Sequence, residues 1–453
     1  MKSPLQLLSR LFQILEFDKA IIWNLAARSI LAVTGPLVAF VVVRRFSAEA
    51  QGYYYTFASL LSLQIFLELG FGFCLIQFVS HEFAKLRWLS TKELTGDHSA
   101  LSRLAAITRL AFRWYTIASI GLFVVLGSVG TIFFHHRSTQ IHWKGAWWLL
   151  CFGGSIGLLT VPLISVLDGC NLVAWTARAR IIESLTRSMV LVLALLFGAG
   201  LYAASFASIT SAVILLSWIL LRWTPLFLQL WSLQISGMIS WFKEIWPFQW
   251  RIAVSWASGY LIYASFNPIL FAKVGPKIAG QFGLTWSLIQ AIGTFAGIFV
   301  NTRQPVFGIQ VSKQAWSEMR RTWRIAIIQS VSVVLLLSAV LSTVIFVVHS
   351  SVIYSDRLLP WTSVIPLLTA SWLNQVTFAV ATLIRAEKRE PFLWMSLLWG
   401  IFVISGSLIT SGRWGATGMA WTYWTGSVVT FIYSLRILRT ALAFKHSYIF
   451  NWN

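Results

Sequence analysis

The chain is 453 residues long, 57% hydrophobic and only 11% charged, so it carries more apolar surface than a water-soluble core could hide. That excludes a soluble protein and predicts a polytopic membrane protein. The formal net charge of +21, from 35 Lys and Arg against 14 Asp and Glu, sits at the ends of apolar runs and reads as a topology signal, so no nucleic-acid partner is expected.

Residues 1–19 mix charge with Leu and Phe and lack a small-residue cleavage site, which predicts an amphipathic entry to the first span with no cleaved signal. Apolar runs of the ~20 residues needed to cross ~30 Å then recur about twelve times. In the first half they lie near 20–43, 53–79, 110–134, 146–167, 182–199 and 203–221. In the second they lie near 252–272, 281–302, 325–348, 362–384, 392–410 and 415–435. Only Gly198 and Gly200 separate the fifth run from the sixth. Residues 224–250 are rich in Trp and poor in charge, which predicts a cytoplasmic interfacial linker between bundles at 1–223 and 251–453.

Charge placement tests this map. With the N-terminus inside, the cytoplasmic side collects Lys85, Arg87, Lys92, Arg103 and Arg109, and later Arg303, Lys313, Arg320, Arg321 and Arg324, while the outer side holds few cations, Arg44 and Arg45 among them. The bias over the whole chain is roughly threefold, which places both termini in the cytoplasm. Arg28, Arg113 and Arg187 fall inside spans.

The two halves resemble each other. Setting GYYYTFASLL on GQFGLTWSLI matches Gly52 with Gly280, Ser59 with Ser287 and Leu60 with Leu288, and puts Arg45 on Lys273. Six spans separate the copies, so both run the same way through the membrane, as in a parallel repeat. Both copies interrupt their first span, at Gly35-Pro36 and at Asn267-Pro268. Paired breaks of this kind point to a transport pathway between the halves, although a packing kink explains either proline alone.

Glu68 is the acidic residue placed well inside a span, and a carboxylate at that depth needs a partner. Arg28, at a similar depth on the preceding span, is the expected one. The pair reads either as a structural lock or as a site in which Glu68 holds Arg28 toward an anion. Arg251 and Arg303 flank the same inner rim, with Asn301, Gln290, Asn374 and Gln375 further in. Arginine suits phosphate because its planar fork donates two parallel hydrogen bonds. Glu183 and Arg187 read as a local helix pair. No Walker A loop, HExxH or CxxC is present, and Cys74, Cys151 and Cys170 lie in or beside apolar runs, so neither ATP hydrolysis nor a metal site is indicated and no cofactor is expected.

The segment RRFSAEAQGYYYTFASLLSLQIFLELGFGFCLIQF, with Glu68-Leu69-Gly70 at an acidic-Leu-Gly position, resembles the polysaccharide-transporter branch of the multidrug/oligosaccharidyl-lipid/polysaccharide exporter superfamily, the group of O-antigen flippases. IWPFQWRIAVSWASGYLIYASFNPILF and GQFGLTWSLIQ with VNTRQPVFG are similar to the seventh and eighth helices of that group. The resemblance implies an all-α integral membrane fold of about twelve helices in two six-helix bundles, a MATE-like parallel repeat. It implies a non-enzymatic flippase of a bacterial inner membrane, working by alternating access on a polyprenyl-diphosphate-linked oligosaccharide for surface polysaccharide biosynthesis. Membrane lipids and polysaccharide assembly proteins are the implied partners, and Arg28, Arg251 and Arg303 would hold the anionic head. Two alternatives stay open: a proton- or sodium-coupled drug or metabolite antiporter with Glu68 as coupling site, and a membrane glycan-processing enzyme.

Overall fold

The computed structural model describes residues 34–89, 91–135, 141–235, 240–350, 355–386 and 391–449. Almost all of them are helical. The first half begins with α1 (34–45) and α2 (Ala48–Leu61), whose first turn is capped by the Ser47 hydroxyl accepting from the Ala50 amide at 3.1 Å. After the short turns Ser62–Gln64 and Ile65–Glu68 the chain breaks at Leu69 and Gly70 and resumes as α3 (Phe71–Phe83). A two-stranded hairpin, β1 (Leu86–Trp88) with β2 (Leu94–Gly96), leads into α4 (His98–His135), which carries a π-turn at Leu122–Leu126. Then come α5 (Lys144–Gly169), α6 (Val173–Leu196) and α7 (Tyr202–Ser232). The turn between α6 and α7 needs its glycines: Gly198 and Gly200 both take left-handed backbone, at φ 81° and 56°.

The second half repeats the plan with α8 (Trp246–Tyr263), α9 (Phe266–Lys273), α10 (Pro276–Asn301), α11 (Gln304–Ser312), α12 (Trp316–His349), α13 (Trp361–Arg385) and α14 (Leu393–Ile449). The last is two arms broken at Gly415, at φ 55°. Among the described residues seven helices are long and apolar enough to cross a membrane, or eight when α2 with its following turns and α3 form one span bent by 43°. The break expected at Asn267-Pro268 lies just before it, at Ala264 and Ser265, which leaves Pro268 in the first turn of α9, where its missing N–H costs nothing. Pro36 lies in the first described turn of α1.

Of the described residues in 224–250, 224–232 are the last turns of α7, Trp241–Ile245 form a π-turn and 246–250 are the first turns of α8. This connection is tied to the first half. Arg109 donates to the carbonyls of Leu230, Trp231 and Leu233, where α7 ends. The Gln229 amide pairs with both backbone groups of Leu94 in β2, at 2.8 and 2.7 Å. Arg103 bridges Glu82 of α3 at 3.0 Å and Glu244, just before α8, at 2.9 Å.

At the opposite end the halves pack directly on each other through α2 and α10. A Cβ on Gly52 would lie 1.9 Å from the Pro276 carbonyl oxygen, and one on Gly280 would lie 3.0 Å from the Ala48 carbonyl oxygen and 2.7 Å from the Gly52 nitrogen. The alignment that pairs Gly52 with Gly280 also pairs Ala48 with Pro276, so the contacts are reciprocal. Residue i touches the mate of j and j touches the mate of i, the signature of a two-fold axis through the crossing. Gly283 likewise packs on Tyr55, its own mate. The parallel repeat seen as thin identity is thus a physical pseudo-symmetry. Gln51 seals the crossing by donating to Gly280 O at 2.8 Å and Arg357 O at 3.2 Å. Behind it Tyr53, Phe134 and Phe271 form an aromatic core shared by both halves, with ring centroids 4.9 to 5.4 Å apart.

Candidate substrate cavities

Each half encloses a cavity of about 310 Å³. The first lies among the end of α2, α5, α6 and α7; the second among α8, α10, α13 and the second arm of α14. By helix order α10 is the mate of α2, α13 of α5 and the second arm of α14 of α7, so the cavities occupy largely equivalent places in the repeat. Their linings differ.

The first cavity is charged. Arg180, Glu183 and Arg187, at helical spacing on one face of α6, line it together with Gln64, Ser165 and Ser208. Arg187 pairs with Glu183 at 2.6 Å, and Arg180 with Asp168, at the end of α5, at 2.8 Å. Asp168 is buried and accepts a second hydrogen bond from the Thr176 hydroxyl. Both arginine side chains stay nearly half exposed, at 46% and 45%, so each keeps free donor capacity. Asp168 and Arg180 both fall between the apolar runs 146–167 and 182–199; the tight turn at Asn171, at φ 63°, folds α6 back so that these residues, twelve apart, meet. Glu183 and Arg187, read as a local pair, are local and also part of the cavity wall.

The second cavity holds four of the candidate residues together. Gln290 and Asn301 share a face of α10, and Asn374 and Gln375 lie on the facing side of α13. Asn374 donates to the Tyr423 hydroxyl at 2.8 Å and to Ser427 at 3.1 Å, and Gln375 donates to Ser330 at 2.6 Å. Tyr263, Trp286, Phe378 and Tyr423 complete the wall, and no Asp, Glu, Lys or Arg appears among its described lining.

Arg251 and Arg303 line neither cavity. Arg251 is exposed at the start of α8, its guanidinium 5.7 Å from the Trp250 ring. Arg303 is held by its own helix end, donating to Phe299 O at 2.8 Å and to Gln329 at 2.8 Å. The basic inner rim therefore divides into separate contacts. Arg28 lies outside the described residues.

Glu68 has local partners. Leu69 and Gly70 adopt left-handed backbone at φ 50° and 67°, which breaks the span and leaves the first amides of α3 without helical acceptors. The Glu68 carboxylate covers them, accepting from the Gly72 amide and, at 3.1 Å, from the Tyr115 hydroxyl. The break also faces the second half: a Cβ on Gly70 would lie 2.5 Å from Ile252, and Phe66 packs on Tyr260 with ring centroids 5.5 Å apart. Glycine is required here for its conformation and for that approach.

No protein-family model matches the chain, and no curated protein matches it. Solved structures do. An inward-facing multidrug resistance MATE family transporter of the MOP superfamily superposes with a TM-score of 0.67 at 13% identity, over 93% of this chain and 99% of that one. The fold is the MATE fold. The MATE multidrug transporter DinF-BH gives 0.66 at 16% identity over 93% and 94% of the two chains. An outward-facing MATE family transporter of the MOP superfamily gives 0.59 at 13% identity over 95% and 97%. The helical membrane architecture expected from the sequence is therefore that of MATE structures, with one short hairpin added, and the match covers 93% of this chain.

Proposed function

We propose that this MATE-fold chain is a transporter that moves an anionic glycolipid, a polyprenyl-diphosphate-linked oligosaccharide, across a bacterial inner membrane by alternating access. The observation that carries the reading is the state of the charges around the first cavity. Glu183, the acid in its described lining, is engaged by Arg187, and two acids outside the lining are engaged as well: Asp168 by Arg180 and Thr176, and Glu68 by Tyr115 and the Gly72 amide. Two half-exposed arginines retain donors. Among the described lining an organic cation finds only Glu183, already paired with Arg187, whereas a diphosphate finds two half-exposed guanidinium forks. Arg28 is proposed to join them from the first span.

The closed contact at Gly52 and Gly280 fits one state of such a cycle. The positive-inside rule assigns that end to the outer face, so we take the described state as one closed toward the outside. The same rule supports cytoplasmic termini. Reconstitution into liposomes with lipid-linked oligosaccharide extracted from the host tests the reading. Protein-dependent exposure of the glycan to an enzyme confined to the opposite side is the expected result. A protein that leaves the glycan sequestered while driving efflux of an aromatic cation against a proton or sodium gradient refutes it in favour of the antiporter.

A further inference from the structure

We propose that the cavity of the second half is a glycan subsite, which receives a sugar ring of the substrate while the phosphates stay with the arginines of the first half. This rests on the glycolipid reading above and goes one step beyond it, by dividing the two chemistries of the substrate between the two halves.

A sugar ring presents an apolar C–H face and a rim of vicinal hydroxyls, each both donor and acceptor. A site for it needs flat apolar walls and amides, and gains nothing from charge. The second cavity has that composition. Tyr263 and Trp286 lie nearly parallel, 21° apart with centroids at 6.5 Å, and the Trp286 indole is pinned by donating to Tyr263 O at 3.0 Å. Tyr423 meets Trp286 edge-on at 5.0 Å and is held in turn by Asn374. Rings fixed in this way form a rigid wall. Room is made by α10, where a Cβ on Gly293 would meet nothing within 4 Å and one on Gly297 would meet only the Asn301 amide and Phe378, both at 3.6 Å.

Amides supply the rim. The Asn374 side chain spends its donors on Tyr423 and Ser427, which leaves its carbonyl oxygen a buried acceptor with no partner. That oxygen has no accessible surface in the described state, so a ligand hydroxyl supplies the missing donor once the Asn374 side chain turns toward the cavity. Gln290 is exposed and lines the cavity, which places an amide at its edge. The volume, about 310 Å³, lies at the lower end of small-molecule sites and suits one ring, not a whole oligosaccharide. The equivalent place in the first half carries Arg180, Glu183 and Arg187, so the repeat has kept the cavity and exchanged its chemistry.

The test measures binding to the full-length protein in nanodiscs with three probes: polyprenyl diphosphate, host-extracted lipid-linked oligosaccharide, and an aromatic organic cation. Wild type should bind the glycosylated lipid more tightly than the bare one. Asn374→Ala and Gln290→Leu should each remove that advantage, by about tenfold, and leave the bare lipid unchanged. Gln290 is exposed, so its variant reports even where Asn374→Ala fails to fold. An advantage that persists in both variants, or bare-lipid binding that falls with it, overturns the subsite and leaves the glycolipid reading standing. Wild type that binds neither lipid overturns both. Variants that weaken only the cation assign the aromatic walls to a cation and overturn the subsite.

Discussion

Gly52→Ala is the sharpest perturbation available. Its new methyl would sit 1.9 Å from the Pro276 oxygen and 2.6 Å from the Pro276 carbonyl carbon, both backbone atoms that cannot rotate away. The helices must part by about 1.5 Å or more to reach ordinary contact, and overpacking of this kind costs about 1–3 kcal/mol. If the crossing opens during transport, that cost falls on the closed state alone and favours the open one by about 5–150-fold. Gly280→Ala is milder, since its methyl would meet the Gly52 nitrogen at 2.7 Å and the Ala48 oxygen at 3.0 Å. Spin labels at the exposed mates Arg45 and Lys273 report the separation by pulsed electron resonance. The long-distance population should grow from wild type to Gly280→Ala to Gly52→Ala. An unchanged distance distribution with lowered thermal stability in both variants would show a permanent packing contact, and the gating argument would fail.

Three further outcomes follow from single contacts. Asp168→Ala leaves Arg180 and Thr176 without their buried acceptor and should cost about 1–3 kcal/mol, less than for a fully buried pair because Arg180 is nearly half exposed; a melting temperature in detergent equal to wild type would contradict the pairing. Glu68→Gln keeps an oxygen that accepts from Tyr115 and the Gly72 amide, so it should accumulate in the membrane nearly as wild type while Glu68→Ala does not; equal loss in both would show that the charge itself is needed. Asp97, which caps α4, has its carboxyl held below the usual range by the Ser99 hydroxyl and then by the Ser99 and Ala100 amides. A depressed folded value means stability present at neutral pH and lost as pH falls through it, so Asp97→Asn, which still caps, should flatten the acid limb of the stability profile, and an unaltered limb would refute the assignment.

The chain's order of apolar runs determined the membrane class, the two halves and the repeat, because the length that spans a bilayer and the match of GYYYTFASLL with GQFGLTWSLI are properties of one strand of text. That Gln290 and Asn301, eleven residues apart, share a face of one helix was legible in the same way, since helical periodicity sets it. Which faces meet was not. Arg180 and Asp168 come together only because the turn at Asn171 reverses the chain, and Arg251 and Arg303, alike in sequence, end on solvent and on a helix end. Glu68 shows the limit most plainly. Its depth announced that it needed donors, but the donors are created by a break at Leu69, a residue whose type gives no hint of left-handed backbone, and by Tyr115 from another helix. Burial of a charge is decided by local sequence, whereas the partner that satisfies it is decided by the packing of helices distant in the chain.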